Sequence, residues 1–225
     1  MLTRRLSAGP AAAVEICFTE RADGDFRIDA PADALATSRQ NLMPGEWTWL
    51  HQVHGSDVVE VTEPGEHAGA DADGSVTALH GVVLAVQTAD CVPVVLVGSA
   101  AVGVAHCGWR GLVGGVLPAA VAALSGLNSG PIDAVIGPCI GAARYEFGEP
   151  ELSQVEAIAG PAVRITNDAG RPCLDMAGGV ESILTDAGVA RVSNVGLDTS
   201  GERWFSHRTR GDRGRQVTAI RLVPR

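Results

Sequence analysis

The chain has 225 residues, 46% of them hydrophobic, and a formal net charge of −9 at pH 7. That length suits one domain with a sizeable core, and the acidic balance argues against the basic stripe of a nucleic-acid-binding surface. All 17 basic residues are arginine. This excludes lysine Schiff-base chemistry and a P-loop lysine, so a bound phosphate must be held by arginine, backbone N–H groups or a metal.

Residues 14–18, Val-Glu-Ile-Cys-Phe, form the first predicted strand. The stretch before it has Arg4 and Arg5 but a short apolar run broken by Gly9-Pro10, which is not the make-up of a signal peptide. Residues 20–31 are polar and turn-rich, and a helix is predicted over Ala32–Leu42, ending before Pro44-Gly45. Strands over 48–51 and 57–61 flank a turn at His54-Gly55, and 64–74 is a loop rich in Gly and Asp. Residues 81–88, 92–97 and 101–106 are nearly continuous apolar, β-branched runs, the pattern of strands buried on both faces. There follow a helix over 111–124, a strand over 132–136 closed by Gly137-Pro138, and a helix over 149–159. Asp175 is an N-cap for a helix running to Ala187, and strands are predicted over 192–195 and 216–222.

Strands and helices are interleaved without a strict βαβ rhythm. The expected fold class is therefore α+β, a single compact domain over 1–225 with mixed β-sheets flanked by helices. No run approaches the roughly 18 apolar residues of a membrane span. Five scattered cysteines without a Cys-x-x-Cys pair read as reduced thiols. A soluble, cytoplasmic monomer with no membrane or nucleic-acid partner is expected.

Chemistry is concentrated in three strings: His51-Gln52-Val53-His54-Gly55, Thr88-Ala89-Asp90-Cys91 and His106-Cys107-Gly108-Trp109-Arg110-Gly111. Cys91 falls at the break between two buried strands, His106 at the end of the next, and His54 at a turn. Strand ends are where a rigid sheet can converge side chains on one point. Two imidazoles and a thiolate suffice to hold a zinc ion with one position open, which separates a catalytic zinc from a structural one. The same residues also compose a hydrolase with Cys91 as nucleophile and His106 as base, and sequence does not separate the two readings. Asp73 and Asp90 are candidates for acid–base work or for orienting a ligand imidazole. Gly108 and Gly111 bracket Trp109-Arg110 just before the predicted helix, an anion site in which Arg110 supplies the charge. The turn Gly137-Pro138-Cys139-Ile140-Gly141 leads to Tyr145, the only tyrosine, a candidate lining residue. A multicopper oxidase is disfavoured, because such sites need many imidazoles, often as His-x-His pairs, and the chain has six histidines and no such pair.

His-Gly, Thr-Ala-Asp-Cys, His-x-Gly-Trp-Arg-Gly and Gly-Pro-Cys-Ile-Gly, in this order, resemble the motifs of the YfiH-like family. That family is also called the multicopper polyphenol oxidase (laccase-domain) family, and its members are described as purine nucleoside phosphorylases. The resemblance runs from about Phe18-Thr19 to the end. It implies an α+β domain with zinc on His54, Cys91 and His106. It also implies phosphorolysis of adenosine, inosine, guanosine and methylthioadenosine, with adenosine deamination as a second activity. A related bacterial member is a peptidoglycan editing factor that removes misplaced serine from a cell-wall precursor. For phosphorolysis, Arg110, with Arg39 and Arg208, is expected to position phosphate, and Gln52 and Tyr145 are further substrate-side candidates. The chain departs from the family at Cys107, where alanine is usual, placing a second thiol beside the site to compete for metal or be oxidised. It departs also at Arg21-Ala22-Asp23-Gly24 and Ser206-His207-Arg208-Thr209-Arg210, which only echo the usual strings.

Overall fold

The computed structural model describes residues 1–9 and 12–225. In chain order the first elements are β1 (Leu2–Ala8), β2 (Ala12–Phe18), α1 (Ala32–Leu42), β3 (Trp47–Trp49), β4 (Val58–Glu60), β5 (Gly74–Thr77), β6 (Val83–Thr88), β7 (Val92–Val97) and β8 (Val102–Cys107). Then come α2 (Trp109–Gly114), α3 (Val116–Leu127), β9 (Asp133–Ile136), α4 (Glu149–Ala159), β10 (Arg164–Thr166), β11 (Pro172–Leu174), α5 (Met176–Asp186), β12 (Arg191–Asn194), α6 (His207–Arg210) and β13 (Gln216–Pro224). A five-stranded sheet runs β1-β2-β13-β6-β3 and a six-stranded sheet runs β12-β9-β7-β8-β5-β4, with β10 and β11 forming a separate hairpin. Both large sheets are mixed, with parallel pairs at β3–β6, β4–β5 and β9–β12.

The unbroken apolar runs explain how the layers stack. Every residue of β6, β7 and β8 is buried, and successive side chains serve opposite faces. Leu84 and Val86 of β6 meet Val95, Val97, Val102 and Val104 of the other sheet, together with Ile16, Phe18 and Ile220. Val83 and Ala85 turn the other way and pack with Leu35 of α1, Met43 and Trp47. Val92, Val94 and Leu96 of β7 pack under α2, α3, α4 and α5 through Leu112, Leu117, Leu152 and Val180. The result is four layers, helix, sheet, sheet, helices, in which a fully buried valine or leucine contributes about 1.5–3 kcal/mol.

The single helix expected over 111–124 is two. Gly115 has φ +88, a left-handed conformation that ends α2 and starts α3, and glycine takes it without a Cβ penalty. Pro118 lies in the first turn of α3, where no intrahelical hydrogen bond is lost. Four strands escaped the periodicity argument: β1, β5 and the paired β10 and β11.

The chain passes from the five-stranded to the six-stranded sheet between β3 and β4 and again between β6 and β7. It returns between β5 and β6 and again between β12 and β13. Of these four passages, β3–β4 carries His54, β6–β7 carries Cys91 and β12–β13 carries Arg208.

Candidate functional site

Two of these passages are bent in the same unusual way. His54 has φ +59 and Asp90 has φ +92, left-handed backbone that costs a non-glycine residue of order 1–3 kcal/mol and persists only where the surroundings fix it. At His54 the fixing group is Asp73, which is fully buried. Its carboxylate accepts the backbone N–H groups of Val53 (3.2 Å), His54 (3.0 Å) and Gly55 (2.7 Å). The same carboxylate is 2.7 Å from His106 Nδ1, so Nδ1–H donates to it and Nε2 is left as the free ring atom. Burial raises the Asp73 pKa, but His106 and the amides of Gly55 and Val53 outweigh it and hold the group below its ordinary value. Asp73 thus serves both imidazoles, one through the backbone and one through the ring.

His54, Cys91 and His106 each offer one ligand atom, and these atoms lie within 4.8 Å of one another. Among the described residues this is the one His/Cys/Asp/Glu group able to hold a metal ion. Cys91 Sγ is 3.9 Å from His54 Nε2, and the two imidazoles meet edge to face with centroids 4.8 Å apart. A tetrahedral ion with zinc's bond lengths spaces sulfur and nitrogen about 3.6 Å apart, so the Cys91–His54 spacing is within a few tenths of an ångström of what such an ion needs. Burial opposes ionisation at Cys91 and His106, yet the mutual charge of the pair, with Asp73 and His54, lowers the thiol and raises the imidazole. The thiolate is the form that binds metal or attacks as a nucleophile. Gly108 closes the floor of the site, where a Cβ would stand 2.6 Å from His54 Cδ2 and 3.3 Å from Cys91 Sγ.

The group opens on a cavity of about 670 Å³, a volume in the range of small-molecule sites. In a chain of net charge −9, its wall carries Arg27, Arg110, Arg208, Arg213 and Arg215. Arg27 and Arg213 face Asp29. Arg110, Arg208 and Arg215 form no ion pair with a carboxylate among the described residues, although Nη1 of Arg208 donates to the Glu146 carbonyl and Nη1 of Arg215 to the carbonyls of Asp212, Arg213 and Gly214. Arg110 lies over the Trp109 ring and Arg208 over the Tyr145 ring, at 4.5 and 4.6 Å. Tyr145 also lines the cavity, and burial pushes its phenol up to about 12.

Other candidate residues are placed differently. Asp90 borders the cavity, but both its oxygens are engaged: Thr199 Oγ1–H donates to one at 2.8 Å and the Arg208 N–H to the other at 2.7 Å. It anchors the start of α6. Gln52 gives its amide to the backbone of Gln87, accepting from N–H and donating to C=O, each at 2.7 Å, and so fastens the His54 loop to β6. Arg39 lies outside the cavity, because the last turn of α1 lays its guanidinium over Trp49 (4.7 Å) and Trp47 (5.8 Å). Cys107 does not join the metal group. Its side chain belongs to the apolar core beneath the helices, and burial, with the charges of Cys91 and Asp73, raises its thiol well above the ordinary value. All five cysteines are free thiols, and no helix among the described residues is long and apolar enough to cross a membrane.

Sequence reasoning gave no role to His51 or Gln87. His51 lines the cavity with Nδ1 2.6 Å from Asp71. Gln87 was signalled by being a polar residue, beside Thr88, at the end of an apolar run.

The family model described as multi-copper polyphenol oxidoreductase laccase matches residues 6–223. The chain is 34% identical to a purine nucleoside phosphorylase of Deinococcus radiodurans over 98% of this chain and 86% of that one. It is 35% identical to the purine nucleoside phosphorylase YfiH of Escherichia coli over 80% and 76%. Among solved structures, YlmD from Geobacillus stearothermophilus superposes with a TM-score of 0.82 at 26% identity, covering 96% of this chain and 93% of that one. The Bacillus licheniformis protein YfiH shares the fold, with a TM-score of 0.83 at 24% identity over 95% and 97%. With a site of two imidazoles and a thiol in one cavity, and a match over nearly its whole length, the chain belongs to the YfiH-like, multi-copper polyphenol oxidoreductase laccase family.

Proposed function

We propose that the protein is a zinc-dependent purine nucleoside phosphorylase acting on adenosine, inosine, guanosine and methylthioadenosine, with adenosine deamination as a second activity. The observation that carries this reading is the meeting, in one cavity, of a metal-capable His-Cys-His group and three arginines without carboxylate partners. The names of the relatives support it.

His54, Cys91 and His106 would hold the zinc, which would supply Lewis acidity there. Asp73, by accepting from His106 Nδ1–H, leaves Nε2 as the donor atom, and it fixes the turn that presents His54. Arg110 and Arg208 bind and orient phosphate by charge-assisted hydrogen bonds. Each is stacked on an aromatic ring, which pre-orders the guanidinium plane. In phosphorolysis a phosphate oxygen forms the new bond to C1′ of the ribose as the C1′–N9 bond breaks, and its electron pair leaves with the purine. Holding phosphate and nucleoside together in attack geometry removes an entropic part of the barrier.

The test uses purified protein of known metal content and adenosine, with and without phosphate, resolving adenine, ribose 1-phosphate and inosine. Phosphate-dependent adenine release is expected. Inosine alone would assign deamination as the main activity, and no turnover with metal bound would refute the reading.

A second reading is favoured by one observation, the drawing of Cys91 and His106 towards thiolate and imidazolium. It is a hydrolase with Cys91 as nucleophile and His106 as base, acting on an amide such as a mis-built peptidoglycan precursor. An alkylating reagent that modifies Cys91 only after metal removal supports the phosphorylase, whereas equal modification of the metal-loaded protein supports the hydrolase.

A further inference from the structure

Gln87 occupies the end of β6, where Gln52 holds its backbone N–H and C=O. The residue is only 7% exposed and lines the cavity, yet among the described residues nothing donates to or accepts from its carboxamide. Neither of its amide atoms is sealed in the interior, so one donor and one acceptor open onto the cavity from a strand end whose position is fixed on both sides. Ile28, partly exposed, lines the same cavity and offers apolar contact to a flat ring.

From this we infer that Gln87 is the residue that reads the purine base, binding the edge that carries the 6-substituent; the inference rests on the nucleoside reading above. A carboxamide has one acceptor and one donor, and its terminal torsion is broad and two-fold. In one orientation it accepts from the adenine 6-amino group and donates to N1. Turned by half a rotation, it donates to O6 and accepts from N1–H of hypoxanthine or guanine. A single neutral side chain therefore serves 6-amino and 6-oxo purines alike, which a carboxylate or an arginine in that place does not. The arginines at the metal end are left for phosphate.

The substitution Gln87→Glu separates these cases. A carboxylate accepts from both N1–H and the 2-amino group of guanine, but against adenine it makes one bond and faces the N1 lone pair. Binding of adenine and of guanine to the metal-loaded protein is measured by calorimetry, with unfolding curves confirming that each variant is folded. The guanine-to-adenine affinity ratio is expected to rise about tenfold or more in Gln87→Glu. In Gln87→Met, which keeps the volume and loses the polar edge, both affinities should fall by a similar factor. The inference is overturned if the wild-type protein binds neither base. It is overturned also if folded Gln87→Glu keeps the ratio within about twofold, or, should that variant not fold, if Gln87→Met binds both bases as the wild type does. Nucleoside turnover by the wild-type protein, measured separately, judges the phosphorylase reading: turnover with unchanged ratios removes Gln87 alone.

Discussion

Replacing Asp73 with asparagine tests the centre of the site. The carboxylate has four partners, and each oxygen serves two: one accepts from His54 N–H and His106 Nδ1–H, the other from Val53 and Gly55 N–H. Asparagine has one oxygen, so whichever way its amide is turned, two of these donors face an NH₂ group in a fully buried place. Hydrogen bonds to charged groups contribute about 1.5–3 kcal/mol each, and breaking a buried charged network costs about 3–5 kcal/mol. Unfolding of Asp73→Asn in guanidinium chloride should therefore show a midpoint lowered by the equivalent of about 3–5 kcal/mol with an unchanged slope. Competition with a chelator should show metal affinity reduced about 10–100-fold. The pH dependence follows from the direction of the Asp73 shift. Its folded pKa lies below the ordinary 3.8, so its contribution is complete above that value and is lost as pH falls through the folded pKa. The asparagine variant should lack this acid-sensitive component. An unchanged midpoint together with unchanged metal affinity would refute the assignment of Asp73 as the support of both imidazoles.

Gly108→Ala would put a methyl group 2.6 Å from His54 Cδ2 and 3.3 Å from Cys91 Sγ. Metal affinity and turnover should fall at least about tenfold in a protein that still folds, as read by metal analysis and circular dichroism. Single replacements His54→Ala, Cys91→Ser and His106→Ala should each abolish stoichiometric metal binding and nucleoside turnover, assayed by elemental analysis alongside product release; full activity in any of them would remove that residue from the centre. Asp90→Ala frees Thr199 and the Arg208 N–H. A loss of about 1–3 kcal/mol of stability is expected, with a raised KM for phosphate and unchanged metal content; lost metal would contradict its role as an anchor of α6.

Much of the architecture was written plainly in the middle of the chain. Strands covered on both faces need unbroken apolar runs, so β6, β7 and β8 stood out, with Cys91 between two of them and His106 near the end of the third, while His54 was marked by its turn before Gly55. β1 was hidden because Thr3, Arg4, Arg5 and Ser7 belong to an edge strand with one solvated face, and a pair of three-residue strands such as β10 and β11 leaves no period to read. Arginine type alone does not reveal where a guanidinium lies: Arg208 reaches the cavity, whereas Arg39 reaches two tryptophans. Gln52 was read as a ligand for substrate, but its amide is consumed by the backbone of Gln87. The free carboxamide is the one on Gln87 itself, and that exchange is visible only once the two segments are in contact.

The placing of His54 and Cys91 on separate passages between the sheets, with His106 on a strand of one of them, has a mechanical consequence. A bound ion acts as a rivet through a joint, tying two independent straps to one plate. Sliding the plates by about 1 Å would spoil the alignment on which turnover depends, so metal retention gauges how the plates are seated. Any binding energy for the ion is likewise strength added to the joint.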